Sequence, residues 1–226
     1  QDGDFTDPTY DPNDDVTTDR ERTVNEDSNV VTVTVPSSLT LTKAVIDTSH
    51  TGTGATENED LTIGETATYR LGVALQDGAT ALVTSSDTTP AGLRYVPGMS
   101  GSNVFFRSAD GVTATGVNSS TVYSDGDEID AADLTDSTSD TAAGSLVFEF
   151  ENVVIPATSG LDTDAFQLEY TLQAVNVAAN QAETDPDKIN SAVAAADLDG
   201  DGNNTDPGEE STPDTATVTI VEPTLT

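Results

Sequence analysis

Acidic side chains at alternate positions are the clearest chemical motif in this chain. In the segment "DLDGDGNNTDP", residues 197–207, carboxylates and amides alternate with small residues. Hard cations such as Ca²⁺ take six to eight oxygen ligands, and small intervening residues let the backbone wrap around the ion. The segment therefore predicts a calcium loop. The predicted ligands are Asp197, Asp199, Asp201, Asn203 and Asp206.

This loop does not follow the EF-hand pattern. In an EF-hand register, position twelve falls on Gly208, where a bidentate glutamate is expected. Asp206, Glu209 or Glu210 would have to take that place, which is more typical of calcium loops in extracellular β-rich repeats. The alternative is a solvated acidic loop, although three carboxylates at alternate positions repel one another unless a cation bridges them.

Two further acidic clusters are candidates for the same kind of calcium site. Asp2, Asp4 and Asp7 lie in "DGDFTDP", a shortened copy of the loop at 197–207, and we predict calcium ligands there too. A third cluster lies in residues 125–130 and is interpreted as a hydrated loop. Its members are Asp125, Asp127, Glu128 and Asp130.

Composition narrows the range of functions. The chain has 226 residues, 41 acidic and 7 basic, and a net charge of −34, so nucleic acid and bare anionic membranes are expected to be repelled. It has no cysteine and one histidine, His50, which leaves no catalytic triad and no zinc site to assemble. No apolar run is long enough for membrane insertion. We expect a protein that is not an enzyme.

Alternating Val- and Thr-rich runs between turn signals predict an all-β sandwich of roughly nine to eleven strands. We predict residues 124–144 to be a long acidic surface loop with too little apolar content to pack. The main predicted strands are 29–35, 39–46, 65–75, 81–87, 144–155, 165–175, 188–196 and 215–221.

The two ends repeat the same order of features. Residues 2–42 and 199–226 each read as an acidic loop, an alternating strand, a proline and then Leu-Thr. This order indicates slightly more than one period of a head-to-tail array, joined either as one polypeptide or by strand exchange. Residues 1–38 then resemble the end of a preceding unit, an extended strand segment. Residues 39–221 form the domain, and 222–226 begin the next unit or a linker.

Several segments resemble bacterial Ig-like surface-repeat domains of the fimbrial isopeptide-forming type. The match covers about residues 39–221, and "DTTPAGLRY" at 87–95 is its most specific part; the others are "LTLTKAV" (39–45), "TIGETATYRLGVAL" (62–75) and "KINSAVAAADLDGDG" (188–202). The resemblance implies an Ig-like Greek-key sandwich in a stalk, pilus or adhesin.

The resemblance also implies an intramolecular cross-link. In some members of this family a strand lysine attacks an asparagine amide inside the core, while a buried carboxylate shuttles the proton. Here the lysine would be Lys43, the amide Asn190 and the acid Asp87, with Glu65 as the second choice. The alternative is that Lys43 is a surface charge at a strand end and that Asn190 is a turn or capping amide.

We therefore expect an extracellular or cell-surface structural protein. It would be a repeat or protomer of a bacterial surface filament, pilus or stalk, assembled from copies of itself and made rigid by Ca²⁺. Two alternatives remain open at this point. One is an adhesive module that binds a host or environmental ligand, and the other is an acidic secreted domain of a halophile.

Overall fold

The computed structural model describes residues 39–51, 60–97, 103–108, 111–157, 166–181 and 187–221. Within this part of the chain the regular structure consists of strands and two single turns of 3₁₀ helix, Ala131–Asp133 and Ala178–Asn180. The strands are β1 (Thr40–Thr48), β2 (Asp60–Leu61), β3 (Thr66–Ala74), β4 (Gly78–Thr89), β5 (Leu93–Tyr95), β6 (Phe105–Ser108), β7 (Thr113–Gly116), β8 (Val122–Tyr123), β9 (Leu134–Asp136), β10 (Gly144–Ile155), β11 (Phe166–Ala174), β12 (Asp187–Asp197) and β13 (Asp214–Ile220).

The strands form two sheets. The first has the order β1-β3-β11-β5, with β6 also paired to β11. The second has the order β2-β13-β12-β4-β10-β7-β8, with β9 also paired to β10. All pairs are antiparallel except the short β2–β13 pair.

This strand order is that of an Ig-like Greek key. Strands β1, β3 and β11 correspond to strands A, B and E, and β4, β12 and β13 correspond to C, F and G. Strand β10 lies beside β4 rather than in the A-B-E sheet. The prediction of an all-β, Ig-like Greek-key sandwich is confirmed. The predicted extended N-terminal strand segment lies outside the described residues.

Period-two alternation explains why these segments become strands around one core. On β3, Ala67, Tyr69, Leu71 and Val73 are all fully buried, as the alternation of the sequence predicts. The same inward phase on β10 and β11 buries the residues of both sheets in one hydrophobic core. The central aromatic residues are Tyr69, Phe106, Tyr123, Phe148, Phe150, Phe166 and Tyr170.

The prediction for residues 124–144 is wrong in one respect, because part of this segment packs. Ile129 joins the core, Asp133 is fully buried, and β9 pairs with β10. The Asp133 carboxylate accepts hydrogen bonds from the backbone N–H groups of Asn118 and Ser119 and from the Tyr123 hydroxyl. These bonds satisfy the buried charge, and an acidic segment can therefore pack without a large apolar surface.

The described residues alone form thirteen strands, more than the nine to eleven that the sequence predicts. Two of the additional elements, β2 and β9, contain two and three residues and carry little alternation of their own. Of the main predicted strands, 29–35 lies outside the described residues. The other seven are all present, with ends shifted by a few residues at most.

Candidate functional site

Four strands direct polar side chains into the core at one level. Lys43 lies on β1 and Tyr170 on β11, in the first sheet, while Asp87 lies on β4 and Asn190 on β12, in the second. Each residue occupies the inward phase of its strand; the inward neighbours of Lys43 and Tyr170 are apolar, whereas Asp87 lies between Ser85 and Thr89. The sandwich therefore places the lysine and the tyrosine of one sheet opposite the carboxylate and the amide of the other.

Asp87 is the centre of this cluster, and its two carboxylate oxygens have different partners. Oδ1 accepts a hydrogen bond from Lys43 Nζ at 2.6 Å. Oδ2 accepts one from Asn190 Nδ2 at 3.1 Å and another from the Tyr170 hydroxyl. Lys43 Nζ also donates to the Tyr170 hydroxyl oxygen at 2.9 Å. We call these four residues the core polar cluster.

The cluster is shielded from water, which sets its electrostatics. The side chains of Lys43 and Asp87 are 0% exposed. Burial lowers the pKa of Lys43, although the charge and hydrogen bond of Asp87 and the charge of Asp214 oppose that shift. Burial, followed by the negative charge of Asp87, raises the pKa of Tyr170 well above its usual value. The amine is thus easier to deprotonate than a surface lysine, and Tyr170 keeps its proton.

Two buried polar atoms beside the cluster have no hydrogen-bond partner among the described residues. One is Asn190 Oδ1, the carbonyl oxygen of the amide, and the other is the Tyr69 hydroxyl. Tyr69 stacks on Tyr170 with ring centroids 5.8 Å apart, and Lys43 Nζ lies 5.0 Å from the centre of its ring. Burial raises the pKa of Tyr69, and the nearby Asn190 amide counteracts this only in part. Unpaired buried polar atoms are uncommon and often mark sites with a chemical role.

The structure brings Lys43, Asp87 and Asn190 together, as the family resemblance implies. The alternatives, a surface lysine and a capping amide, are wrong because both side chains are buried. Glu65, the second choice of acid, lies elsewhere: its Oε2 accepts from Thr62 N at 2.6 Å and contacts His50 Nδ1 at 2.8 Å. Tyr170 carries no motif that marks it as functional, because the alternation of β11 predicts only that its side chain points inward.

The acidic loop after β12 forms a second candidate site. Carboxylate oxygens of Asp197, Asp199 and Glu209 lie within 4.8 Å of one another, and so do those of Asp199, Asp201 and Asp206. Asp199 belongs to both groups. Of the three residues considered for the missing ligand, Glu209 and Asp206 are in position, whereas Glu210 is exposed and its backbone bridges to Ala195. We call these five carboxylates the acidic loop cluster.

The local sequence explains how this loop folds. Gly200 and Gly202 have positive φ of 81° and 89°, which side-chain-bearing residues rarely adopt. These turns let both N–H groups donate to Asp197, at 2.7 and 3.0 Å. Burial, and then the charges of Asp201, Glu209 and Asp199, raise the pKa of Asp206. The loop thus concentrates negative charge at one place.

The remaining predicted ligands are Asn203, Asp2, Asp4 and Asp7. The Asn203 side-chain oxygen accepts from the backbone N–H and the hydroxyl of Thr205, at 3.1 and 2.8 Å. Asp2, Asp4 and Asp7 lie outside the described residues. In the third acidic cluster, Asp127 caps Ser124 and Asp130 caps Ala132, so these carboxylates serve local turns.

Comparisons with known proteins identify no family and no function for this chain. No protein-family model matches the sequence, and no curated protein matches it. Among solved structures, the chain is similar to the T6 backbone pilin of serotype M6 Streptococcus pyogenes, at 13% identity and a TM-score of 0.44 over 80% of this chain and 36% of the pilin.

Two other similar structures have different functions. ACE19, the collagen-binding subdomain of the Enterococcus faecalis surface protein ACE, has 13% identity and a TM-score of 0.36 over 79% of this chain and 95% of that one. AvmM, which catalyses macrocyclization in alchivemycin A biosynthesis, has 11% identity and a TM-score of 0.38 over 83% and 91%. Likenesses this low carry no argument about function.

Within the described part of the chain, no helix is long and apolar enough to cross a membrane.

Proposed function

We propose that this chain is a structural unit of an extracellular bacterial filament or stalk, held closed by a covalent bond between Lys43 and Asn190. One observation supports the cross-link above all others. Asp87, fully buried, contacts both Lys43 Nζ and the Asn190 amide nitrogen. Nucleophile, proton carrier and electrophile are thus already assembled in a site closed to bulk solvent.

The chemistry balances without any cofactor. A proton moves from the Lys43 ammonium to the Asp87 carboxylate, which leaves a neutral amine and a neutral acid. The amine attacks Asn190 Cγ, the carbonyl electron pair moves to Oδ1, and Asp87 transfers protons from Nζ to Nδ2. The carbonyl re-forms as ammonia leaves, and Asp87 retains one proton. The product is an amide that contains no charged group.

The position of the bond suits a load-bearing role. It joins β1 near the start of the domain to β12 near its end, across the two sheets. Force applied at the two ends of the domain would pass through this bond instead of opening the sheets. The chain between Lys43 and Asn190 would then be protected from extension.

Single-molecule stretching tests this role. The domain is pulled from handles at residues 39 and 221. The wild-type domain is expected to extend by about 50 nm less than the Lys43→Met variant. The reason is that roughly 150 residues, at up to ~3.5 Å each, are enclosed by the cross-link and cannot be stretched. The Lys188→Met variant is the matched control, since it removes the other lysine and leaves the cluster intact. Full extension of the wild-type domain would contradict the proposal.

Calcium binding at the acidic loop cluster is the second part of the proposal. Five carboxylates from one turn supply the oxygen-rich coordination that Ca²⁺ prefers, and a bound ion would relieve their mutual repulsion. The loop connects β12 to β13, and β13 runs back from it antiparallel to β12, so the loop lies at the end of the sandwich opposite Ile220 and near the start of β1. A bound ion there would stiffen the end of the domain at which β1 begins.

Calorimetry checks this metal site. Relative to EDTA, 10 mM Ca²⁺ is expected to raise the melting temperature by roughly 3–10 °C, if the affinity is that of extracellular calcium modules. Asp199→Asn, which removes the shared carboxylate, should abolish the rise. Glu151→Gln removes one charge from an exposed position on β10 and should keep it. An equal rise with NaCl of the same ionic strength would instead favour the halophile alternative.

Head-to-tail assembly completes the proposal. Its support is the repeated order of four features at the two ends of the sequence, of which residues 199–221 lie within the described part of the chain and residues 2–38 and 222–226 lie outside it. Electron microscopy of native material tests it, with filaments of regular axial repeat as the expected result. Isolated particles in that material would favour the adhesive module instead.

A further inference from the structure

The two oxygens of Asp87 pose a problem for the cross-linking reaction. Lys43 Nζ donates directly to Oδ1, but the amide nitrogen that must leave contacts Oδ2. A proton delivered to Oδ1 is on the wrong side of the carboxyl group to reach the leaving group. Moving it would require rotation of a buried carboxyl group held by three partners.

The Tyr170 hydroxyl connects these two sides. Its oxygen accepts a hydrogen bond from Lys43 Nζ at 2.9 Å, and its proton is donated to Asp87 Oδ2. The path Lys43 Nζ, Tyr170 hydroxyl, Asp87 Oδ2, Asn190 Nδ2 is therefore a continuous chain of hydrogen bonds. Tyr170 is fully buried, and no water is needed to complete the path.

We propose that Tyr170 is a proton relay for formation of the Lys43–Asn190 bond, an inference that rests on the proposed function. The Tyr170 oxygen takes a proton from Nζ while its own proton passes to Oδ2, so that the phenol stays neutral throughout. Amine attack on Cγ follows, and Oδ2 gives this proton to Nδ2. The second proton of Nζ moves directly to Oδ1, ammonia leaves, and Asp87 ends as the neutral acid.

Tyr69 supplies a matched control within the same pocket. Its ring stacks on that of Tyr170 and it is equally buried, but its hydroxyl lies near the Asn190 amide and is not hydrogen-bonded to Lys43 or Asp87. Tyr69→Phe and Tyr170→Phe remove the same atom from neighbouring rings. They differ in whether that atom lies on the proton path.

The rate of cross-linking is the measurement. The chain is made by cell-free translation, synthesis is stopped, samples are quenched in acidic denaturant, and the fraction lighter by one ammonia is followed by mass spectrometry. Removing a positioned proton carrier typically costs about 10²–10⁴-fold in rate. We expect Tyr170→Phe to be at least about tenfold slower than wild type, and Tyr69→Phe to stay within about threefold of it.

Three results separate the relay from the cross-link itself. A wild-type chain that never loses ammonia would contradict the proposed function. A wild-type chain that cross-links no faster than Tyr170→Phe would overturn the relay alone. Equal slowing of both Phe variants would also overturn it, because the hydroxyl on the path would then have no special role.

Two further readouts guard against a folding defect in Tyr170→Phe. Both Phe variants are also melted in the Asn190→Ala background, where no bond forms, to show that they are folded at the assay temperature. If Tyr170→Phe is not folded there, the wild-type chain still decides. The cross-linking rate of the wild-type chain is measured in mixtures of H₂O and D₂O. This rate should depend non-linearly on the deuterium fraction of the solvent, because two protons move in one step. A linear dependence would contradict the relay.

Discussion

Replacing Asn190 by Ala is expected to lower the melting temperature of this domain by roughly 10–20 °C. The variant removes the electrophile, so the covalent bond cannot form, but it keeps the contacts among Lys43, Asp87 and Tyr170. A cross-link that closes a loop of roughly 150 residues restricts the unfolded chain and stabilises the fold by about 5 kcal/mol in the entropic account. For a domain of this size each kcal/mol shifts the melting temperature by about 2–4 °C.

Asn180→Ala is the control for this prediction. Asn180 is another buried asparagine, and its Nδ2 donates to Gly92 O and Val175 O at 2.7 and 2.8 Å. Its loss should destabilise the domain by about 1–3 kcal/mol through unsatisfied carbonyls, without changing the covalent structure. If Asn190→Ala melts no lower than this control, the stabilising role of the cross-link is wrong.

Asp87→Ala is expected to be the most destabilising single substitution in the cluster. It prevents the cross-link and also leaves the Lys43 ammonium buried without its carboxylate. Removing one partner of a buried ion pair costs about 3–5 kcal/mol, so Asp87→Ala should be less stable than Asn190→Ala by about that amount. Chemical denaturation of the two variants, neither of which can form the bond, measures the difference directly.

The double variant Lys43→Met/Asp87→Ala identifies the cause. If the cost comes from an uncompensated charge, replacing Lys43 by an apolar side chain should restore most of the stability lost in Asp87→Ala. A double variant that is as unstable as Asp87→Ala would indicate that the lost packing of Asp87, and not the charge of Lys43, is responsible.

How much of this site the sequence predicts depends on the kind of information each residue carries. Alternation on β3, β10 and β11 predicts the inward faces, because a strand has only two sides. It cannot predict which inward residues of the two sheets meet. The family resemblance gave Lys43, Asp87 and Asn190, but the Tyr170 contacts depend on how the sheets pack.

The two acidic segments show more clearly what residue spacing and composition can predict. The spacing of Asp197, Asp199 and Asp201 indicates a loop of clustered oxygens, and that is what forms. The same acidic character at 124–144 suggested an unpacked loop, yet Asp133 is buried there. The difference is that the Asp133 carboxylate accepts hydrogen bonds from the backbone N–H groups of Asn118 and Ser119, in another segment of the chain. Composition does not reveal such a contact.

The intact mass of the purified, fully denatured chain tests the central claim most directly. Formation of the Lys43–Asn190 bond releases one ammonia, so the wild-type chain should be about 17 Da lighter than its sequence requires, and digestion should yield one branched peptide that joins residues 43 and 190. Asn190→Ala and Lys43→Met should each have the full mass expected of their sequences. A wild-type chain of unreduced mass, folded and at neutral pH, would contradict the account.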